Sequence, residues 1–275
     1  MPTPKNPKPS QSSKPSQSSK SANARKPLVY GAVIVVAAGL LGFASYKATA
    51  PDTASKDTTA SATGPAAEVS ADPNEGVYPE LAKLARRDAD DQLAIGPADA
   101  PVVLIEYADF KCGYCGKFAR DTEPELIEKY VKDGTLRIEW RNFPIFGEES
   151  ENAARGAWAA GQQNRFWEFH RAAYAEGAKE KGFGKDRVKA LAEEAGVKDL
   201  DRFMKDLDGD AARASVKKDQ EQAYGIGATS TPSFLINGRP IAGAQPDETF
   251  TRAIEAAAEQ AKTRGTAGQA GEPAK

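Results

Sequence analysis

The chain holds two cysteines, Cys112 and Cys115, and they follow an apolar run, Val102-Val103-Leu104-Ile105-Glu106-Tyr107. That arrangement constrains the fold more than any other feature: a strand carries the pair to its end, and a helical pattern begins there. A disulfide-laced scaffold needs more cysteines at wider spacings. A four-ligand zinc site needs two further Cys or His, where the chain offers the single His170. Thiol redox chemistry, a two-thiolate soft-metal site and an incidental pair stay open at this point.

The position at a strand end and helix start favours the first of these. Backbone N–H groups and the helix dipole stabilise a thiolate at a helix N-terminus, so Cys112 is expected to have a lowered pKa and to attack. Cys115, one turn on, is placed to resolve a mixed disulfide formed at Cys112. Lys111 adds a positive charge next to the pair.

After Cys115, Phe118, Leu126, Ile127 and Tyr130 continue a helical pattern that Pro124 should kink or split and Gly134 should end. Leu136-Arg137-Ile138-Glu139-Trp140 alternates as a second strand, so residues 102–140 read as one strand, helix, strand unit with a parallel crossover. Residues 148–224 lack strand signals and read as a block of helices. Ser233 to Ile241 reads as a hairpin turning at Asn237-Gly238, and a last helix carries Phe250, Ile254 and Ala257. Folding signals begin near Val77 with Leu81, Leu84 and Ala85, and residues 263–275 are expected to be disordered. The charged runs 86–91 and 217–221 read as solvated faces.

The first 27 residues are a disordered, basic arm with six cations and no acid, so the formal −2 of the whole chain becomes −8 for residues 28–275. An acidic body argues against nucleic-acid binding. Leu28 to Tyr46 is free of charge between Lys26 and Lys47, which predicts a single transmembrane helix with the basic arm cytoplasmic and the remainder outside the cell membrane. A cleaved signal ending near Ala48-Thr49-Ala50 is the alternative. Residues 47–76 form a flexible linker, and the folded domain is expected over 77–262.

Val102 to Phe118 (VVLIEYADFKCGYCGKF) together with Thr231-Pro232 ahead of a strand resembles the DsbA-like thiol:disulfide oxidoreductases of the thioredoxin superfamily. Arg141-Asn142-Phe143-Pro144, Phe166-Trp167-Glu168-Phe169-His170 and Tyr224-Gly225-Ile226 fit that family as well. The resemblance covers about residues 78–260 and implies an α/β thioredoxin-like fold with a helical insertion at about 148–224. It also implies that Pro232 is cis, that Thr231 packs beside the cysteines and can pair with a client peptide, and that Glu106 is a buried acid exchanging protons with Cys115. Strand alternation alone leaves open whether Glu106 points inward or to solvent.

Gly113 and Tyr114 occupy the places between the cysteines where strongly oxidising relatives have Pro-His. Tyr114 supplies no imidazolium, which implies a less oxidising couple, and it can offer an aromatic surface to clients. The resemblance further implies an enzyme without a bound cofactor or metal, a monomer, that oxidises the thiols of exported, unfolded or partly folded proteins and is reoxidised by a quinone-coupled membrane oxidase. A reductase or isomerase of the same fold, a soft-metal site and a chaperone are the alternatives. His170 reads as a packing or surface residue, and Trp158, Phe166, Trp167 and Phe169 as the core of the insertion.

Overall fold

A strand apolar on both sides needs cover on both faces, and Val102–Ala108 receives it, every residue being buried. The computed structural model describes residues 76–269; the basic arm, the apolar segment 28–46 and the linker up to residue 75 lie outside the described residues. Five strands form one sheet in the order β1-β3-β2-β4-β5: β1 (Ala94–Ile95), β2 (Val102–Ala108), β3 (Leu136–Asn142), β4 (Ser233–Ile236) and β5 (Arg239–Ala242). β2 and β3 are parallel, as the strand, helix, strand reading requires, and the other pairs are antiparallel. None of the described helices is long and apolar enough to cross a membrane.

The described helices are α1 (Pro79–Ala82), α2 (Gly113–Asp121), α3 (Glu123–Leu126), α4 (Glu148–Gly161), α5 (Phe166–Tyr174), α6 (Lys185–Glu194), α7 (Leu200–Asp208), α8 (Asp210–Gly225) and α9 (Asp247–Gln269). Pro124 cannot donate to the preceding turn, and the helix divides there into α2 and α3, which widens into a π turn at Ile127–Val131. α4 to α8 make up the insertion. α9 continues past residue 262, where the sequence placed the end of order. The hairpin turns at Asn237 and Gly238, with φ of 46° and 89°, the positive pair that this tight turn demands. Asn237 Oδ1 accepts from Val103 N at 2.8 Å and ties the hairpin to β2.

α2, α3 and α9 cover one face of the sheet, where Phe118, Leu126, Phe250 and Ile254 pack on Val102 and Leu104. The opposite face buries Val103, Ile105 and Tyr107. The aromatic residues of the insertion form a core of their own with Phe110 and Trp140.

The charged runs are not solvated faces throughout. The backbone N–H groups of Arg86 and Arg87 each donate to Glu139 at 2.8 Å, while Arg86 Nε pairs with Asp91 at 2.8 Å and Arg86 NH1 with Asp219 at 3.8 Å. Asp219 Oδ2 also accepts from Asn142 N at 3.0 Å. The reason is β3: its polar side, Arg137, Glu139 and Arg141, is fully covered and needs buried partners. Glu139 accepts from Arg137 Nε at 3.0 Å and Arg141 NH2 at 2.9 Å.

Burial alone would push Glu139 up, but the Arg86 N–H and Arg141 outweigh it and hold the carboxyl at about 2. Its folded pKa lies below its unfolded value, so its stabilisation is present above about pH 4.3 and is lost as pH falls towards 2. Glu139→Ala leaves two buried guanidinium groups short of their carboxylate. It should lower the stability measured by urea unfolding by about 3–5 kcal/mol, and the variant should lose the wild type's decline between pH 4 and 2.

Candidate active site

The sheet register explains how residues 119 positions apart meet. β2 and β4 are antiparallel with Tyr107 opposite Ser233, so the loop leaving the C-terminal end of β2 faces the one entering β4. Cys112 caps α2 and Thr231-Pro232 precedes β4 in a cis peptide bond. Cys112 Sγ–H donates to Thr231 O at 3.2 Å, and Pro232 O accepts from Gly243 N at 2.9 Å.

Asp109 shapes the loop between strand and helix. Its Oδ1 accepts from Lys111 N at 2.7 Å and its Oδ2 from Ile145 N at 2.6 Å, while its carbonyl accepts from Cys112 N at 3.0 Å. Lys111 Nζ pairs with Glu149 at 2.6 Å, so its charge is engaged away from the sulfur.

The two thiols differ. Cys115 N donates to Cys112 Sγ at 3.4 Å, and a hydrogen bond from the Cys115 side chain is the largest cause that brings Cys112 down to about 6; burial opposes it and the backbone N–H groups of Cys115 and Tyr114 reinforce it. Cys115 is wholly buried, and burial pushes its thiol well above the ordinary range. Cys112 opens onto a cleft of about 160 Å³ shared with Gly113, Gly116, Arg120, Tyr174 and Lys179. Tyr114 is 68% exposed at the rim of the same helix start.

Glu106 points inward: it is 0% exposed, neither carboxylate oxygen has a hydrogen-bond partner, and burial raises its pKa well above the usual range. The solvent-facing reading of this residue is thereby overturned. Its neighbours along the same strand face, Leu104 and Val102, pack under α2, and its charge is one of those that raise Cys115. Thus Cys112, Cys115, Glu106, Thr231, Pro232 and Gly113 gather around one helix start, with Tyr114 outside it. His170 belongs to the packed side of its two readings, 1% exposed among Phe110, Trp140, Phe166 and Trp167.

Asp109, Glu123 and Tyr174 went unread in the sequence. Asp109 carried a signal, a short acid two residues before Lys111 able to form an Asx turn. Glu123 beside Pro124 looks like any first-turn acid. Among the described residues no group of three or more His, Cys, Asp or Glu is arranged to hold a metal ion.

The thioredoxin family model matches residues 88–256, more than half of the chain. Over 170 residues the chain is 31% identical to the probable disulfide bond formation protein D of Bacillus cereus, an alignment covering 60% of this chain and 77% of that protein. The chain belongs to the DsbA-like thiol:disulfide oxidoreductases of the thioredoxin superfamily.

Solved structures agree with this DsbA-like fold. Oxidised BdbD from Bacillus subtilis superposes with a TM-score of 0.58 at 21% identity, covering 62% of this chain and 95% of that one. Wolbachia pipientis alpha-DsbA1 gives 0.55 at 22% identity, covering 62% and 93%. The chain is also 32% identical over 189 residues to the Na(+)/H(+) antiporter NhaA 3 of Salinispora tropica, covering 66% of this chain and 27% of that protein. This DsbA-like chain therefore spans about a quarter of that antiporter's length.

Proposed function

We propose that this DsbA-like oxidoreductase is a membrane-anchored oxidase whose domain lies outside the cytoplasm and passes its Cys112–Cys115 disulfide to exported proteins. The observation that carries the reading is the unequal pair: one cysteine held at about 6 beside the Thr231 carbonyl, the other buried and pushed far up. Stabilising the Cys112 thiolate stabilises the dithiol, and a couple whose reduced form is favoured is oxidising. The charge-free segment 28–46 after a basic arm supports the anchor and the orientation.

In the forward step a client thiolate attacks Cys112 Sγ, the Cys112–Cys115 bond breaks, and its electron pair goes to Cys115. A second client thiolate then attacks the client sulfur of the mixed disulfide and expels Cys112 as a thiolate. Glu106, wholly buried and unpaired, supplies the proton that Cys115 takes. The client lies along the Thr231-Pro232 loop, with Gly113 and Tyr114 beneath it. A quinone-coupled membrane oxidase takes up the electrons, and the enzyme acts as a monomer.

The reduction potential of Cys112–Cys115, measured in glutathione buffers with Cys112→Ser as control, tests the reading. The expected result is a potential well above about −300 mV, the range of inert structural disulfides, together with oxidation of a reduced client. A potential at or below that range would make the protein a reductase of the same fold.

A further inference from the structure

Behind Glu106 lies a second buried acid that the exchange chemistry has not used. Glu123, on α3, is 3% exposed, its Oε1 has no hydrogen-bond partner, and its Oε2 stands 3.6 Å from His170 Nδ1 on α5. Both ring nitrogens of His170 and the hydroxyl of Tyr174 are likewise buried without partners. Isolated buried polar atoms are rare because each forfeits its hydration. Here three elements supply a set of them, Glu106 from β2, Glu123 from α3, and His170 and Tyr174 from α5, near enough that the charge of Glu123 acts on Glu106 and those of Glu106 and Cys115 act on Tyr174.

The charged and titratable groups around this set are few. Cys112 and Cys115 approach from α2, Asp109 from the loop before it, and Arg171 from α5 beside His170. Asp247 of α9 is occupied by the Thr122 hydroxyl. The rings of Phe110, Trp140, Phe166 and Trp167 pack around His170.

We propose that Glu123 is the second station of a proton path that connects the buried Cys115, through Glu106, to the protein surface. The proposal rests on the exchange reaction and on the role of Glu106 given above. When a client thiolate breaks the Cys112–Cys115 bond, Cys115 leaves as a thiolate and takes the proton of the Glu106 carboxyl. Glu106, now a carboxylate in an apolar pocket, takes the proton of Glu123, and Glu123 is reprotonated from solvent on the Arg171 side. One S–S bond breaks, one forms, and one proton enters from water. Oxidation of the dithiol runs the path in reverse.

Protonation states favour this direction. Burial raises Glu123 to about 8, with Arg171 pulling against it, and burial lowers His170 to about 3. At pH 7 the pair is therefore a neutral acid beside a neutral imidazole, with a proton to give. The Arg171 charge makes a carboxylate less costly at Glu123 than at Glu106, where Glu123 and Cys112 both oppose ionisation.

Stopped-flow reduction of the Cys112–Cys115 disulfide by a dithiol peptide, in the full-length chain between pH 5 and 9.5, tests the path. In the wild type the rate should bend near pH 8, after correction for ionisation of the peptide thiol. Glu123→Gln, close in shape but unable to donate an acidic proton, should be slowed about tenfold at pH 7, below the factor of about a hundred or more expected of the group that gives its proton directly to the reacting sulfur, and should lose the bend.

A variant within about twofold of wild type that keeps the bend overturns the path. A wild type that does not react overturns the oxidoreductase reading with it. An infrared difference spectrum of the unmodified protein, disulfide minus dithiol, gives a check without a variant. Perturbed bands of two protonated carboxyl groups support the path, and a spectrum without them sinks it.

Discussion

Cys112→Ser should abolish exchange with clients, while Cys115→Ser, which has no Cys112–Cys115 disulfide to pass on, should still attack a client that brings its own disulfide: the client's S–S bond breaks, one client sulfur leaves as a thiolate, and the other stays trapped as a mixed disulfide on Cys112. The two outcomes differ because the environments do. With Cys112 held at about 6, roughly nine-tenths of it is thiolate at pH 7. Cys115 has no exposed surface and a raised pKa, so it is neither ionised nor reachable. The loss at Cys112 should be about three orders of magnitude or more, as for other removed nucleophiles. Iodoacetamide supplies the measurement: in the reduced protein it should label Cys112 with a pH midpoint near 6 and leave Cys115 untouched in the folded state. Equal labelling of both, or a midpoint near 9, would contradict the assignment.

How much of this was legible beforehand depended on whether a residue's partners were local. The strand, helix, strand unit, the helix break at Pro124 and the hairpin at Asn237-Gly238 are set by neighbours in sequence, and each appears where the pattern placed it. Cys112 and Cys115 were equally legible, because a helix start is a local feature. Thr231-Pro232 was not; only family resemblance linked it to the cysteines, since the contact depends on the register of β2 against β4.

The runs at 86–91 and 217–221 are exposed over most of their length, as their charge suggests, but the partners of Arg86, Asp91 and Asp219 within them were not legible, for a related reason. Charge along a segment says nothing of what lies opposite, and here the opposite surface is the polar side of β3 with Glu139 at its centre. Glu123 was unreadable on the same grounds. Its burial comes from α5 closing over it.

Glu106→Gln should make the protein more stable at alkaline pH and slower at exchange. Glu106 carries a folded pKa above its unfolded one, chiefly from burial, with Glu123 and Cys112 adding to it. The folded state therefore binds more protons, and stability falls as pH rises from about 4.3 through the folded value. Glutamine has no proton to lose, so in urea unfolding of the disulfide form the variant should gain on wild type by up to about 1.4 kcal/mol per pH unit across that window.

Against this stands the amide, whose N–H groups would lack partners in a pocket where neither carboxylate oxygen has one, at a cost of about 1–3 kcal/mol. At pH 5 that cost wins and wild type is the more stable; by pH 8 the slope has had the range to reverse the order. Turnover should fall by about a hundredfold, the lower figure for a lost proton-transfer group. Parallel stability curves for the two proteins would mean that Glu106 is not held protonated by its burial, and Cys115 would then have to draw its proton from elsewhere. Crossing curves joined to slower exchange would mean that the carboxyl is kept at the expense of stability because the buried sulfur needs its proton.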